Sequence, residues 1–371
     1  MNTKPPQFKD VRSIFTSESP QLALLIGNGI NLAAGATEGI SWDDLMSRLV
    51  NEAAERARDP TQALITLMRL LERTHGQRSA SLPEVFDILE ATGTMAADPT
   101  APRIKQPDLQ SRLADLLKDM KPGEPHAKLV NWAINAQVPI LTTNYDHCLQ
   151  DAIPNQACAQ HRLKNGRAQS DYYPWDRYYS THALTDPATS FAIWHVHGDR
   201  AMKRSIRAGL DQYMGMVERL RQLKRPVALE ILTEPSAEPT SAPAYFKAPW
   251  LRVFMGRKLW IQGLALHADE VSLRWLLIQR FRYWKLYQPN PHGGPTGWYV
   301  HGPTEDSKVG ALDAPRRAFF ESVGLSVIQI RKKGDMYDKL FSPVGNARRA
   351  TLVTPPPADS ARCLPTQLTR P

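Results

Sequence analysis

The amino-acid sequence predicts an α/β protein built on a doubly wound parallel sheet, with a helical insertion after the first strand. Three observations carry that expectation. Leu22–Ile26 runs apolar without a break into Gly27-Asn28-Gly29, as a strand buried on both faces does before a sharp turn. Apolar runs of strand length then alternate with segments of helical spacing, the pattern of parallel strands joined by helical crossovers. Polar residues gather just after three of those runs, at Gly27 to Asn31, Thr142 to Asp146 and His197 to Asp199. Open parallel sheets bind their ligands at such strand ends.

Taken in order, residues 1–20 are polar and read as a flexible arm, with room for a short helix near Phe15. Ser41 can cap a helix whose first turn holds Asp43 and Asp44. Helical spacing continues over Thr61–Thr74, Pro83–Ala91, Leu109–Met120 and His126–Ala136, so about 45–136 forms a helical insertion, with Thr92–Pro107 as a loop inside it. Val138–Leu141 is the second strand. Residues 153–190 are rich in Tyr, Pro, Asn and Gln and read as a long irregular excursion covering a site. Phe191–Val196 is the third strand, and Leu210 to Leu223 a helix. Glu234 to Pro249 reads as a linker. Helices at Trp250–Arg257, His267 to Trp284 and Arg316–Val323 then alternate with strands at Leu259–Ile261, Trp298–Val300 and Leu325–Ile330. Residues 344–371, containing Thr-Pro-Pro-Pro-Ala-Asp-Ser, read as a disordered tail.

The 371 residues are 42% hydrophobic and 22% charged. That is a globular composition, and one elaborated α/β domain accommodates the length. No apolar run approaches the ~20 residues a membrane helix needs. The opening Met-Asn-Thr-Lys-Pro-Pro lacks a signal peptide's apolar core, so the expected location is the cytoplasm. Cys148, Cys158 and Cys363 form no Cys-x-x-Cys pair, which excludes a four-cysteine zinc module and gives no disulfide framework. The net charge is +9, of which the tail from Val344 carries +3. Between Arg200 and Arg225 eight Lys and Arg face two acids, a stretch best read as a solvated helix face. This charge permits nucleic acid as a partner without implying it.

Gly27 and Gly29 allow a tight turn and a close approach of backbone N–H groups to a ligand, and a following helix would aim its positive end at a pyrophosphate. A ligand-free strand-to-helix turn fits the same residues. The dinucleotide fingerprint of dehydrogenases is incomplete, because Leu32 stands where its third glycine belongs. His195 and His197 could share one face of a strand and, with His161 or His182, hold a metal. No His-Glu-x-x-His or paired-carboxylate motif accompanies them, and His195 fits better as a hydrogen-bonded wall residue. Asn144 is either a helix cap or an amide that orients a water or sugar hydroxyl without competing as a base. A histidine such as His197 ordinarily titrates near neutrality and suits a general base. With a phosphate-holding loop, these groups describe a site that cleaves a sugar–base bond in a dinucleotide. Nicotinamide leaves NAD readily as a neutral base, so such a site must chiefly hold geometry and stabilise an oxocarbenium-like ribose.

As an ordered set, Gly27-Asn28-Gly29-Ile30-Asn31, Ser41-Trp42-Asp43-Asp44-Leu45, Thr142-Thr143-Asn144-Tyr145-Asp146, Ile193-Trp194-His195-Val196-His197-Gly198-Asp199 and Gly263-Leu264-Ala265-Leu266 with Asp269 resemble the SIR2-like family. The likeness spans roughly Gln21 to Phe341 and is to the bacterial NAD-hydrolysing branch rather than the deacylase sirtuins. It implies a Rossmann-like NAD-binding domain over 21–343, with NAD as substrate and no zinc. It implies Asn144 and His197 as catalytic residues, and Gly27, Asn28, Gly29 and Asn31 as the phosphate loop. Asp146 supports the nicotinamide side, Thr143 is a further cofactor-binding residue, and Gly263 opens the loop under the adenosine. It further implies NAD depletion in antiphage defence, by a homo-oligomer with an infection-sensing partner such as an ATPase or an Argonaute-like protein. The chain departs from the sirtuins in lacking the zinc module, which argues against deacylation. It also has no clear arginine near Gly39–Trp42, and Leu264-Ala265 replaces the usual serine or threonine. The expected activity is therefore NAD hydrolysis. The competing expectations are a non-catalytic NAD- or ADP-ribose-binding scaffold and a metal-dependent hydrolase using His195 and His197.

Overall fold

Every side chain from Leu22 to Ile26 is buried, so this strand, β1, must have cover on both faces and neighbours on both edges. The computed structural model describes residues 13, 15, 17–18, 21–33, 41–55, 60–74, 77–78, 80–95, 109–156, 158–163, 171–224, 248–267, 270–287, 296–302, 312–330, 336–337 and 340–341. The linker and tail expected at Glu234 to Pro249 and 344–371 lie outside or almost outside them, as do Cys363 and Asp269.

After β1 (Leu22–Ile26) come α1 (Gly29–Ala33), α2 (Trp42–Glu55) and α3 (Pro60–Leu71). A small hairpin, β2 (Arg73–Thr74) with β3 (Gln77–Arg78), precedes α4 (Leu82–Met95), α5 (Leu109–Leu116) and α6 (Glu124–Ala136). The chain re-enters the main sheet as β4 (Ile140–Thr142), followed by α7 (Cys148–Asp151), β5 (Ala159–Arg162), β6 (Arg177–Ser180) and β7 (Ile193–His195). The remaining elements are α8 (Leu210–Lys224), α9 (Pro249–Gly256), β8 (Lys258–Gln262), α10 (Val271–Tyr287), β9 (Gly297–His301), α11 (Ala314–Ser322) and β10 (Leu325–Gln329).

The main sheet has eight strands in the order β10-β9-β8-β1-β4-β7-β6-β5. It is mostly parallel, with β6 running against its neighbours, and is compatible with a Rossmann-like fold. The chain builds outward from β1 through β4 and β7, then returns to the opposite edge of β1 as β8. The order therefore reverses between β1 and β8, the position at whose carboxyl ends open parallel sheets take their ligands.

Alternation along the strands divides the core in two. Ala23, Leu25, Leu141, Trp194, Leu259 and Ile261 face α8, α9, α10 and α11, while Leu22, Leu24, Ile26, Ile140, Ile193 and Trp260 face α6 and α7. A third cluster joins α2, α3, α4 and α5 to Tyr145, Cys148, Ile206 and Ala208. The first helices thus pack on the segments that follow β4 and β7, at the same end of the sheet as the turn after β1. Ser41 and Asp44 cap α2 reciprocally, Asp44 N–H donating to Ser41 Oγ at 3.1 Å while Asp44 Oδ2 accepts from Ser41 N–H, also at 3.1 Å.

Several boundaries differ from the sequence expectation. Thr74 pairs in the hairpin instead of ending a helix, and α4 continues to Met95 where a loop was expected. The stretch 153–190 contributes β5 and β6, extending the sheet beyond β7, so only part of it is irregular. These two strands carry few consecutive apolar residues, because β5 lies at the sheet edge and is largely exposed.

Phe15, expected in a loose arm, is 2% exposed. Its ring lies 4.2 Å from that of Trp260, 4.7 Å from Trp132 and 5.3 Å from Phe341. A buried phenylalanine truncated to alanine costs about 3–5 kcal/mol. Phe15→Ala should accordingly lower the urea-unfolding free energy by about 3 kcal/mol or more, whereas a side chain in a mobile arm would change it by less than about 0.5 kcal/mol.

Candidate functional site

The site is set by four parallel strand ends side by side. Ile26 is in register with Thr142 on one side and with Gln262 on the other, and Thr142 is in register with His195. The segments opening at Gly27, Thr143, Val196 and Gly263 consequently leave the sheet along one edge. The expected catalytic and cofactor-binding residues fall on them or on α1, while His195 ends β7 and His161 and His182 lie on or after the antiparallel strands.

At the reversal point the glycines serve close packing. Gly27 N–H donates to Gln262 O at 3.0 Å and Gly29 N–H to Gly263 O at 2.7 Å. A Cβ on Gly27 would lie 2.5 Å from Gly263 O, and one on Gly29 would lie 2.6 Å from Gly263 Cα. Those two N–H groups are thus spent on the neighbouring loop, where the sequence reading had them facing a ligand. The following helix α1 has 5 described residues, too short for the dipole argument to carry weight.

Asn31 is the hub of a buried polar chain. Its Nδ2 donates to Asn28 Oδ1 at 2.7 Å and to Asp146 Oδ2 at 2.8 Å. Its Oδ1 lies 2.8 Å from His126 Nε2, while His126 Nδ1 accepts from Gly123 N–H at 3.1 Å. That second bond assigns the tautomer: Nε2 carries the hydrogen and donates to Asn31. Asp146 Oδ1 also accepts from Cys148 N–H at 2.9 Å, so Asp146 both starts α7 and orients Asn31. His126 escaped the sequence reading because its only signal, a position in the first turn of α6, is shared by any capping residue.

The backbone of Asn144 is held from both sides. Its N–H donates to Thr142 Oγ1 at 3.1 Å, and Thr142 Oγ1 itself donates to Ile26 O at 3.0 Å. Its carbonyl accepts from His195 Nδ1 at 2.6 Å. Thr143 N–H donates to Ile26 O at 3.1 Å. The Asn144 side chain is 6% exposed, and among the described residues neither Oδ1 nor Nδ2 has a hydrogen-bond partner. A buried amide left unpaired costs about 1–3 kcal/mol for each unsatisfied group. Asn144 does not cap α7.

His195 and His197 diverge. Strand β7 ends at His195 and the chain turns, so the same-face rule for alternate residues stops applying. His195 has both ring nitrogens engaged, with Asn144 O and with the Gln150 amide. It has no ring nitrogen left for a metal, and it is a wall residue that positions Asn144. His197, 2% exposed, points toward α10, with Nε2 3.3 Å from Ser272 Oγ and its ring edge-on to Tyr213 at 5.2 Å. Gly198, at φ +115°, turns the chain so closely that a Cβ would lie 2.3 Å from Ser205 O. Among the described residues no three His, Cys, Asp or Glu side chains gather as a metal-holding group.

Four of the eight basic residues of the stretch, those before α8, are engaged within the fold. Lys203 pairs with Asp115 at 2.8 Å, Arg200 donates to the Leu117 and Lys118 carbonyls, and Arg204 and Arg207 stack on Tyr172 and Tyr173 at 4.4 and 4.6 Å. These contacts bind the segment after β7 to the helical layer and to the 171–176 stretch, while Arg219 and Arg221 on α8 are exposed, in keeping with the expected solvated helix face. Cys148 is buried and Cys158 half-buried, both as free thiols. No helix of the described residues is long and apolar enough to cross a membrane. No protein-family model matches the chain, and no curated protein matches its sequence.

Burial pushes His197 down to about 3, with Arg207 acting in the same direction. Burial also pushes His126 down to about 4, against the opposing pull of Asp146. His197 is therefore neutral near pH 7, which overturns the expectation that it titrates there. Both shifts are depressions, so below about pH 6.5 the unfolded chain binds more protons than the folded one. The free energy of unfolding should be level above about pH 7 and fall by about 1.4 kcal/mol per pH unit for each histidine between about pH 6 and 4. His126→Gln should remove one histidine's share of that slope in urea titrations at stepped pH. An unchanged slope would mean that His126 is not buried in its neutral form.

Proposed function

We propose that this protein is a SIR2-like NAD glycohydrolase, cleaving the nicotinamide–ribose bond to give nicotinamide and ADP-ribose. The observation that carries the reading is the Asn144 amide, locked by its own backbone and buried with its donor and acceptor both unused. Such an arrangement is costly in the empty protein and becomes favourable when a ligand supplies the missing partners. The supports around it are the turn at Gly27, Asn28 and Gly29, the Asn31–Asp146 contact and the loop opening at Gly263, all on the edge where a doubly wound sheet takes a dinucleotide.

In this reading the phosphates lie over the Gly27–Asn31 turn, the adenosine toward Gly263, and the nicotinamide ribose beside Thr143, Asn144 and Asp146. The amide of Asn144 orients the ribose or the attacking water. As the bond to nicotinamide lengthens, its electron pair returns to the ring, which departs uncharged and needs no acid. His197, neutral, accepts a hydrogen bond from a ribose hydroxyl. On the same reading the helices between β1 and β4 are an insertion over the cleft. The protein then acts in the cytoplasm as a homo-oligomer in antiphage defence, with an infection-sensing ATPase or Argonaute-like partner and no structural zinc.

One observation favours the scaffold alternative. His197 is enclosed and pushed down to about 3, a weak proton acceptor at neutral pH. NAD bound by the protein and left intact under all conditions, with and without the product of the neighbouring gene, would select it.

Asn144→Ala should lower NAD hydrolysis by about 100-fold or more. It should also leave the melting temperature of the ligand-free protein unchanged or raised, since it removes two unpaired buried groups. A drop in stability together with retained turnover would reverse the assignment. His195→Ala should reduce turnover less than His197→Ala and lower the melting temperature more, because both of its ring nitrogens hold protein groups.

A further inference from the structure

A histidine–carboxylate pair bridges the two loops that carry Asn144 and His197. His147 Nε2 lies 2.7 Å from Asp199 Oδ1, Tyr179 donates its hydroxyl to Asp199 Oδ2 at 2.5 Å, and Ala201 N–H donates to Oδ1 at 2.8 Å. Asp199 is buried at 1% exposure, while the His147 side chain keeps 17%. The carboxylate accepts three hydrogen bonds, so His147 Nε2 carries the hydrogen and Nδ1 presents a lone pair. Among the described residues nothing hydrogen-bonds that Nδ1. The His147 ring stands 5.8 Å from the His195 ring, which holds the Asn144 carbonyl. Its other ring neighbour is Tyr179, at 5.5 Å.

We propose that His147, oriented by Asp199, is the proton acceptor for the water that attacks the ribose. This rests on the NAD-hydrolase reading and names a residue that reading leaves idle. The nicotinamide N1–C1′ bond breaks with its electron pair going to the ring. The water oxygen forms a bond to C1′, and its proton passes to His147 Nδ1. Asp199 stabilises the resulting imidazolium, which releases the proton to solvent at its exposed edge. In sum, NAD and water give nicotinamide, ADP-ribose and one proton. His147 suits this work better than His197, which is enclosed, has no carboxylate partner and faces Ser272.

The test is steady-state kinetics of nicotinamide release by the wild type, His147→Gln and Asp199→Asn, with NAD affinity and melting temperature measured on the same preparations. His147→Gln should lower kcat by about 100-fold or more while KM and melting temperature hold, and imidazole in the buffer should restore part of the loss. Asp199→Asn should lower kcat in the same direction, without responding to imidazole. Because Asp199 is buried and could be needed for folding, the partly exposed His147 decides the question. Wild-type kcat in His147→Gln, or a loss that follows affinity or melting temperature and ignores imidazole, overturns the proposal alone. Wild-type protein that binds NAD and leaves it intact overturns the hydrolase reading and this step with it.

Discussion

Parallel pairing of β1 on both edges is the constraint from which the rest of the molecule follows. With β4 on one side and β8 on the other, three chain segments must leave the sheet at the same height and a few ångströms apart. The turn after β1 and the loop after β8 then meet backbone to backbone, with 2.7 Å between Gly29 N and Gly263 O. Only residues without a Cβ tolerate that contact. The glycines therefore let the turn after β1 and the loop after β8 approach.

Around that edge the fold places many buried polar groups, most of them in hydrogen-bonded networks, although Gln150 Oε1, Trp194 Nε1, Arg200 Nε, Arg207 Nε and the Tyr337 hydroxyl have no partner among the described residues. Gly123, His126, Asn31, Asp146 and Cys148 form one continuous chain of donors and acceptors, and His147, Asp199, Tyr179 and Ala201 form another. Satisfied networks of this sort hold a single geometry, whereas unpaired groups in the same low-dielectric surroundings are costly. Asn144 stands out against this background. Its backbone is pinned as firmly as any of its neighbours, yet its amide is idle. It differs from the other unpaired groups of this edge in that both of its side-chain polar atoms, Oδ1 and Nδ2, lack a partner among the described residues.

The helices between β1 and β4 bear on the same edge. They form their own apolar cluster, but that cluster includes Tyr145 and Cys148 beside Asn144 and Ile206 beyond His197. Gln110 on α5 donates to Ile206 O at 2.6 Å, and Trp42 on α2 packs edge-on against Tyr145 at 5.4 Å. A change in this layer would be felt at the strand ends, which gives the layer a physical route to the candidate site.

Much of this was legible in the residues themselves. An unbroken apolar run before Gly27-Asn28-Gly29 requires a buried strand and a tight turn, and Ser41 with Asp44 states a helix start in local chemistry alone. The placing of polar residues after apolar runs identified the strand ends, because that pattern depends only on burial and turn formation. What the sequence could not decide was who faces whom. His195 and His197 are equivalent by alternation, and only the turn after β7 sends one into the wall and the other toward α10. His126, 95 residues from Asn31 along the chain, and Asp199, 52 from His147, meet their partners through strand order and helix packing. Propensity and periodicity act over a few residues, so they settle the elements. Long-range contacts and the burial they impose settle which side chains are charged, paired or left unpaired.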